Sequence, residues 1–120
     1  MKTIVFEVME LAETAARTKR GRSAKYARHT FDSVESMARV LTPTRWAIVQ
    51  ALTGAEPMGV RELSRRVNRD VKGVHVDAHA LVAAGVISRT DDGKFSFPFG
   101  KVKVQFELRA LVQRALVQRA

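Results

Sequence analysis

The chain contains no cysteine, so disulfides and thiolate metal sites are both excluded. Acidic side chains are scarce, 12 Asp and Glu against 21 Lys and Arg, which leaves a formal net charge of +9. Nothing approaches the apolar length of a membrane span. The start, Met1-Lys2-Thr3-Ile4-Val5-Phe6-Glu7, has too short an apolar run for a signal peptide, and Glu7, Glu10 and Glu13 interrupt it. A cytoplasmic protein with no membrane partner is therefore expected. The marks of an enzyme are missing as well. Ser33, Ser36, Ser64 and Ser88 have no nucleophile motif around them, there is no glycine-rich phosphate loop, and Asp91-Asp92 sit in a turn, where aspartate is expected structurally. The reading is a non-enzyme without a cofactor. What is present is positive charge, and that suits a polyanionic partner.

At 120 residues the chain is one domain with a modest core and appended arms. Residues 3–9 alternate, Ile4, Phe6 and Val8 against Val5, Glu7 and Met9, the period-two pattern of a strand. Leu11, Ala12, Ala15 and Ala16 predict a short helix ending near Lys19. Lys19 to Lys25 reads as a basic linker, a solvated loop in the plainer view. Its Arg20-Gly21-Arg22 can also lie in a DNA minor groove, although Ser23 stands where such peptides carry proline. The compact unit is expected to begin at His29-Thr30-Phe31. Asp32 followed by Glu35 has capping-box character, and Val34, Met37, Ala38 and Leu41 form one helical stripe. Thr42-Pro43 then restarts a helix over 43–53, with Trp46, Val49 and Leu52 inward and Gly54 as its stop. Pro57-Met58-Gly59 predicts a brief extended bridge.

The pattern centres on Val60 to Val86. Leu63 and Val67 share a face of one short helix, and Asn68-Arg69-Asp70 is a corner. Asn tolerates the left-handed conformation that ends a helix, and Asp caps the next. The second helix, 70–84, keeps Val74, Ala78, Leu81 and Val82 on one face, and Gly85 ends it. This is a helix-turn-helix unit. The period then changes from 3.6 to two, and residues 86–98 read as a hairpin around Asp92-Gly93. A helix-turn-helix followed at once by a hairpin has the order of a winged helix domain. Lys101 to Leu108 alternates again, a strand that can pair with residues 3–9 of the same or a second chain. Leu108, Val112 and Leu116 make an i, i+4, i+8 row in a short terminal helix. The fold class expected is α+β. Residues 1–28 form a strand-helix arm with the linker, 29–100 the winged helix-turn-helix domain, and 101–120 a strand-helix extension that can dimerise the chain.

Certain stretches resemble the small prokaryotic winged helix proteins described as predicted transcriptional regulators, some encoded beside toxin genes and read as antitoxins. The matching residues are Phe31, then Leu41-Thr42-Pro43 with Arg45, then Arg61-Glu62-Leu63 with Arg65. Arg69-Asp70-Val71-Lys72, Val74-His75, Asp77 and Gly85-Val86-Ile87 follow. The resemblance covers roughly residues 29–99 and the first strand. Gly73 and Val76 depart from it, standing where a polar and a basic side chain are expected. It implies a DNA-binding regulator; taken with the residues, the expectation is a sequence-specific binder of double-stranded DNA, a repressor, acting as a homodimer. Two alternatives stay open. One is an antitoxin-type protein that neutralises a partner toxin and autoregulates its operon; the other is a winged helix that acts on RNA or protein.

For a DNA-binding winged helix, the outward face of 70–84 reads bases from the major groove. Lys72, His75 and His79 can reach guanine acceptors or phosphates, Val76 a thymine methyl, and Gly73 lets the backbone approach closely. Arg45, Arg61, Arg65, Arg66 and Arg69 are candidates for phosphate contacts, which position without specifying sequence. Arg89 and Lys94 flank the tip of the wing. His75 and His79 also have i, i+4 metal-ligand spacing, but with no cysteine, and with Asp77 on another side of the helix, no metal site is expected.

Overall fold

The computed structural model describes residues 1–9 and 26–107. The helices expected near residues 11–19 and 109–120, and the linker with Arg20-Gly21-Arg22, lie outside the described residues. In chain order the elements are β1 (Thr3–Val8), β2 (Ala27–Phe31), α1 (Val34–Val40), α2 (Pro43–Leu52), α3 (Val60–Val67), α4 (Val71–Ala83), β3 (Ser88–Arg89), β4 (Phe95–Ser96) and β5 (Lys101–Gln105).

β1 is the central strand of a parallel sheet in the order β2-β1-β5. Ile4, Val5, Phe6 and Glu7 are all buried, as befits a parallel strand covered on both faces. The alternation at 101–108 becomes a strand over 101–105, paired in parallel with β1 of the same chain, from Thr3 opposite Lys101 to Glu7 opposite Gln105. The sequence pattern does not predict β2, and the boundary expected after residue 28 falls inside it. Its polar residues have a structural purpose. Arg28 Nη1 donates to Glu7 Oε2 at 2.8 Å and Thr30 Oγ1 to Glu7 Oε1 at 3.1 Å. A carboxylate only 2% exposed is thereby satisfied.

The first helix differs from expectation at its start. Ser33, not Asp32, is the N-cap of α1, its hydroxyl accepting from the Ser36 amide at 3.0 Å. Asp32 is exposed, as is Ala38 of the expected stripe. α2 begins as its sequence dictates, with Thr42 as cap and Pro43 in the first turn. Its inward side chains are Ile48, Val49 and Leu52, while Trp46 is half-buried. Ile48 is an addition to the expected stripe.

One core joins sheet and helices. It includes Ile4, Phe6 and Phe31 from the sheet, Ile48, Leu52, Leu63, Val74 and Leu81 from the helices, and Phe95 and Phe97 from the hairpin region. Phe6 sits at its centre, edge-on to His29, Phe31, Trp46 and Phe97 at 6.0–6.3 Å. The extended bridge expected at Pro57-Met58-Gly59 is present, Met58 exchanging both backbone hydrogen bonds with Phe95 at 2.9 and 3.0 Å. The architecture is α+β. Among the described residues no helix is long and apolar enough to cross a membrane.

Candidate nucleic-acid interface

α3 and α4 meet at the corner Asn68-Arg69-Asp70, and each residue there has a distinct task. Asn68 adopts the left-handed conformation, φ 56° and ψ 52°, which among ordinary residues Asn tolerates best. The Arg69 amide reaches back to the Ser64 carbonyl at 3.1 Å, and the buried Ser64 hydroxyl donates to the Arg69 carbonyl. Asp70 caps α4, accepting from the Gly73 amide at 2.9 Å. At the other end of α4, the Gly85 and Val86 amides return to the Val82 and Leu81 carbonyls at 2.9 and 3.0 Å. With Gly85 at φ 78° this is a Schellman close.

Asp77 ties the corner to α2. It accepts from Arg69 Nη1 at 2.8 Å and from Arg45 Nε at 3.1 Å. Burial raises its pKa, but hydrogen bonds from Arg69, Arg45 and Thr44 outweigh that effect and hold the carboxyl below the ordinary carboxylate range. Two of the arginines named as candidate phosphate contacts are thus turned onto a carboxylate. Arg69 also explains Gly73 locally, because a Cβ there would lie 3.0 Å from both the Arg69 guanidinium and the Asp70 carboxylate.

The remaining basic side chains stay on the surface. Arg61, Arg65, Arg66, Lys72 and Lys94 are all exposed. Arg66 lies 3.7 Å from Glu62 and Lys94 lies 3.9 Å from Asp92. Among the described residues no ion pair engages Arg61, Arg65 or Lys72. On α4, His75 and Val76 are exposed, Val76 to 59%, whereas His79 is partly covered.

His79 belongs to the seam between α4 and the hairpin. Its ring is 4.2 Å from that of His75 and edge-on to Phe95 at 6.0 Å. Arg89 Nη1 lies 3.1 Å from His79 Nε2, and its guanidinium sits 5.2 Å from the centroid of the Phe95 ring. Desolvation, then the charges of His75 and Arg89, push the His79 pKa down. The hairpin closes through a three-residue loop, Asp91-Asp92-Gly93, with Gly93 at φ 84° in the left-handed position. The Thr90 amide donates to the Lys94 carbonyl at 2.8 Å across its base.

A profile of the HVO_A0114 family matches residues 40–104, more than half of the chain. The chain belongs to the HVO_A0114 family. No curated protein and no solved structure matches it. In this HVO_A0114 protein the matched residues take in α2, α3, α4, the hairpin and nearly all of β5, so every candidate side chain from Arg45 to Lys94 falls inside the family region.

The structure thus gathers the sequence-derived candidates into four groups. Lys72, His75 and Val76 form an exposed strip on the first half of α4, and Arg61, Arg65 and Arg66 lie exposed on α3. His79 and Arg89 bind helix to hairpin, and Arg45 and Arg69 bind α2 and the corner to Asp77. Asp77 and Ser64 are the positioning residues that sequence reasoning missed. Asp77 is 32 residues from Arg45, so no local spacing announces the pair. The exposed strip offers one cation, one imidazole and one branched apolar surface on a helix whose far side is locked in the core, a set able to meet acceptors, donors and methyl groups on a polyanion.

Proposed function

We propose that this HVO_A0114 protein is a winged helix-turn-helix, sequence-specific binder of double-stranded DNA that represses transcription by occupying an operator. In this reading α4 is the recognition helix, and Lys72, His75 and Val76 meet base edges in the major groove. Arg61, Arg65, Arg66 and, from the wing, Lys94 neutralise phosphates. Arg45 and Arg69 act through Asp77 to fix the angle of the helix pair. His79 and Arg89 set the wing against α4. The observation that carries the reading is the exposed strip on α4 beside Arg61 and Arg65, which have no ion-pair partner among the described residues, on two helices held by a tightly bonded corner. The face sets Val76, at 59% exposure, beside charge that no acid among the described residues pairs.

Titration of labelled duplex DNA across salt concentrations tests it. With about four phosphates neutralised per protomer, a tenfold rise in salt lowers affinity by roughly three orders of magnitude or more. A flat salt response, or no binding at low salt, removes the reading. Selection from random duplexes then gives the operator, and a two-fold symmetric site is the result expected of a dimer.

A further inference from the structure

β5 is an edge strand whose outer side carries no further strand among the described residues. Val104 is 44% exposed and, just past the strand, Phe106 is 49% exposed. By the alternation of the strand Val104 stands on the same side as Val102, which packs against the core and borders a shallow groove lined by Trp46, Val49, Gln50 and Thr53. An open edge with apolar side chains is a template for another strand, and here the sequence says which strand fits. Lys101-Val102-Lys103-Val104-Gln105-Phe106-Glu107 is self-complementary when read antiparallel about Val104. Lys101 then faces the partner's Glu107, Val102 the partner's Phe106, Lys103 the partner's Gln105, and Val104 its own counterpart. Shifting the axis to Gln105 would keep only residues 103–107 opposed and lose both Val102–Phe106 pairs, and shifting it to Lys103 would oppose that lysine to its own copy. Opposed like charges destabilise a strand pair. An in-register parallel stack would likewise place lysine on lysine, so the same two lysines discourage open-ended stacking.

We propose that a second copy of this chain docks on this edge, β5 pairing antiparallel with β5 about a two-fold axis through Val104. The strand lengthens to Glu107 on pairing, the two sheets join into one of six strands, and Val104 and Phe106 leave solvent. The pairing involves no DNA, so its failure and that of the DNA-binding reading are separate results.

Two measurements on the full chain test it. Because the chain has no cysteine, Val104→Cys supplies a single thiol. Opposed residues of an antiparallel pair have Cα atoms about 4.5–5.5 Å apart, within disulfide reach. Mild oxidation is expected to give a covalent dimer from Val104→Cys and none from Glu56→Cys, an exposed control outside the sheet. In sedimentation, Lys101→Glu and Glu107→Lys each raise the dimer Kd about tenfold, since symmetry duplicates every opposed pair. The double exchange restores it. That recovery cannot come from misfolding, which a second substitution would deepen. A monomer at every concentration overturns the proposal, as does a dimer indifferent to both charge exchanges. Preferential cross-linking through Lys103→Cys overturns the register.

Discussion

Asp77 shows how one side chain can decide whether neighbouring charges are available to a ligand. Its two oxygens hold Arg45 and Arg69 at 3.1 and 2.8 Å, which commits part of each guanidinium and offsets its charge. The pair is partly exposed, so its worth lies between that of a surface bridge and a buried one. Asp77→Asn is expected to cost about 1–2 kcal/mol in urea denaturation at neutral pH. The folded pKa is depressed, so the contribution is complete above the unfolded carboxylate value of about 4 and is lost as pH falls through the lower folded value. The gap between wild type and Asp77→Asn therefore closes on acidification, and a gap that stays constant to the acid limit would show that the carboxylate's charge is not what matters. Asn68 is the second decisive residue. Its φ of 56° is costly for a β-branched side chain, so Asn68→Val is expected to lose about 1–2 kcal/mol, whereas Asn68→Gly loses little or gains. Equal stabilities for the two variants would mean the corner relaxes out of the left-handed conformation.

At the scale of elements, α3 and α4 divide the surface between charge and shape. Arg65 and Arg66 are exposed in the last turn of α3, and His75 is exposed on the first half of α4. Arg65→Ala with Arg66→Ala is expected to weaken binding to all duplexes alike and to flatten the salt dependence, by a slope of about one for each phosphate no longer neutralised. His75→Ala is expected to change the ranking of sequences instead. Competition among a panel of duplexes reads both effects, and parallel losses across the panel for both variants would dissolve the division. The elements legible in the sequence are those whose signals are local. Thr42-Pro43 marks a helix start, Asn68 and Asp70 a corner, Gly85 a helix end and Gly93 a hairpin turn, each acting within a few residues of itself. β2 is illegible because its Ala-Arg-His-Thr-Phe run has no alternation of large apolar residues. Its Arg28 and Thr30 make sense only once the buried Glu7, more than 20 residues earlier, lies beside them. The Asp77 clamp is hidden for the same reason. Long-range ion pairs leave no periodicity.

For the molecule as a whole, the question is whether the sheet is an attachment to the helices or part of one folding unit. The two halves are laced by backbone as well as by packing: the Gly54 amide donates to the Phe99 carbonyl at 2.8 Å, and the Gly100 amide to the Lys2 carbonyl at 2.9 Å. Phe6, fully buried in the first strand, touches Trp46 on α2 and Phe97 beyond the hairpin. Truncating it opens a cavity where sheet, helices and hairpin meet. Phe6→Ala is accordingly expected to cost about 3–5 kcal/mol, a large share of the stability of a domain this size. The single tryptophan makes the test selective. Trp46 lies 6.2 Å from Phe6 and reports the junction, while the far-ultraviolet helical signal reports α1 to α4. If sheet and helices fold as one unit, both signals move together in wild type and shift together in Phe6→Ala, as two-state behaviour requires. Loss of the tryptophan signal ahead of the helical one would instead mean that the sheet detaches first. The edge strand β5 would then be held by its neighbour β1 more weakly than a dimer built on it demands.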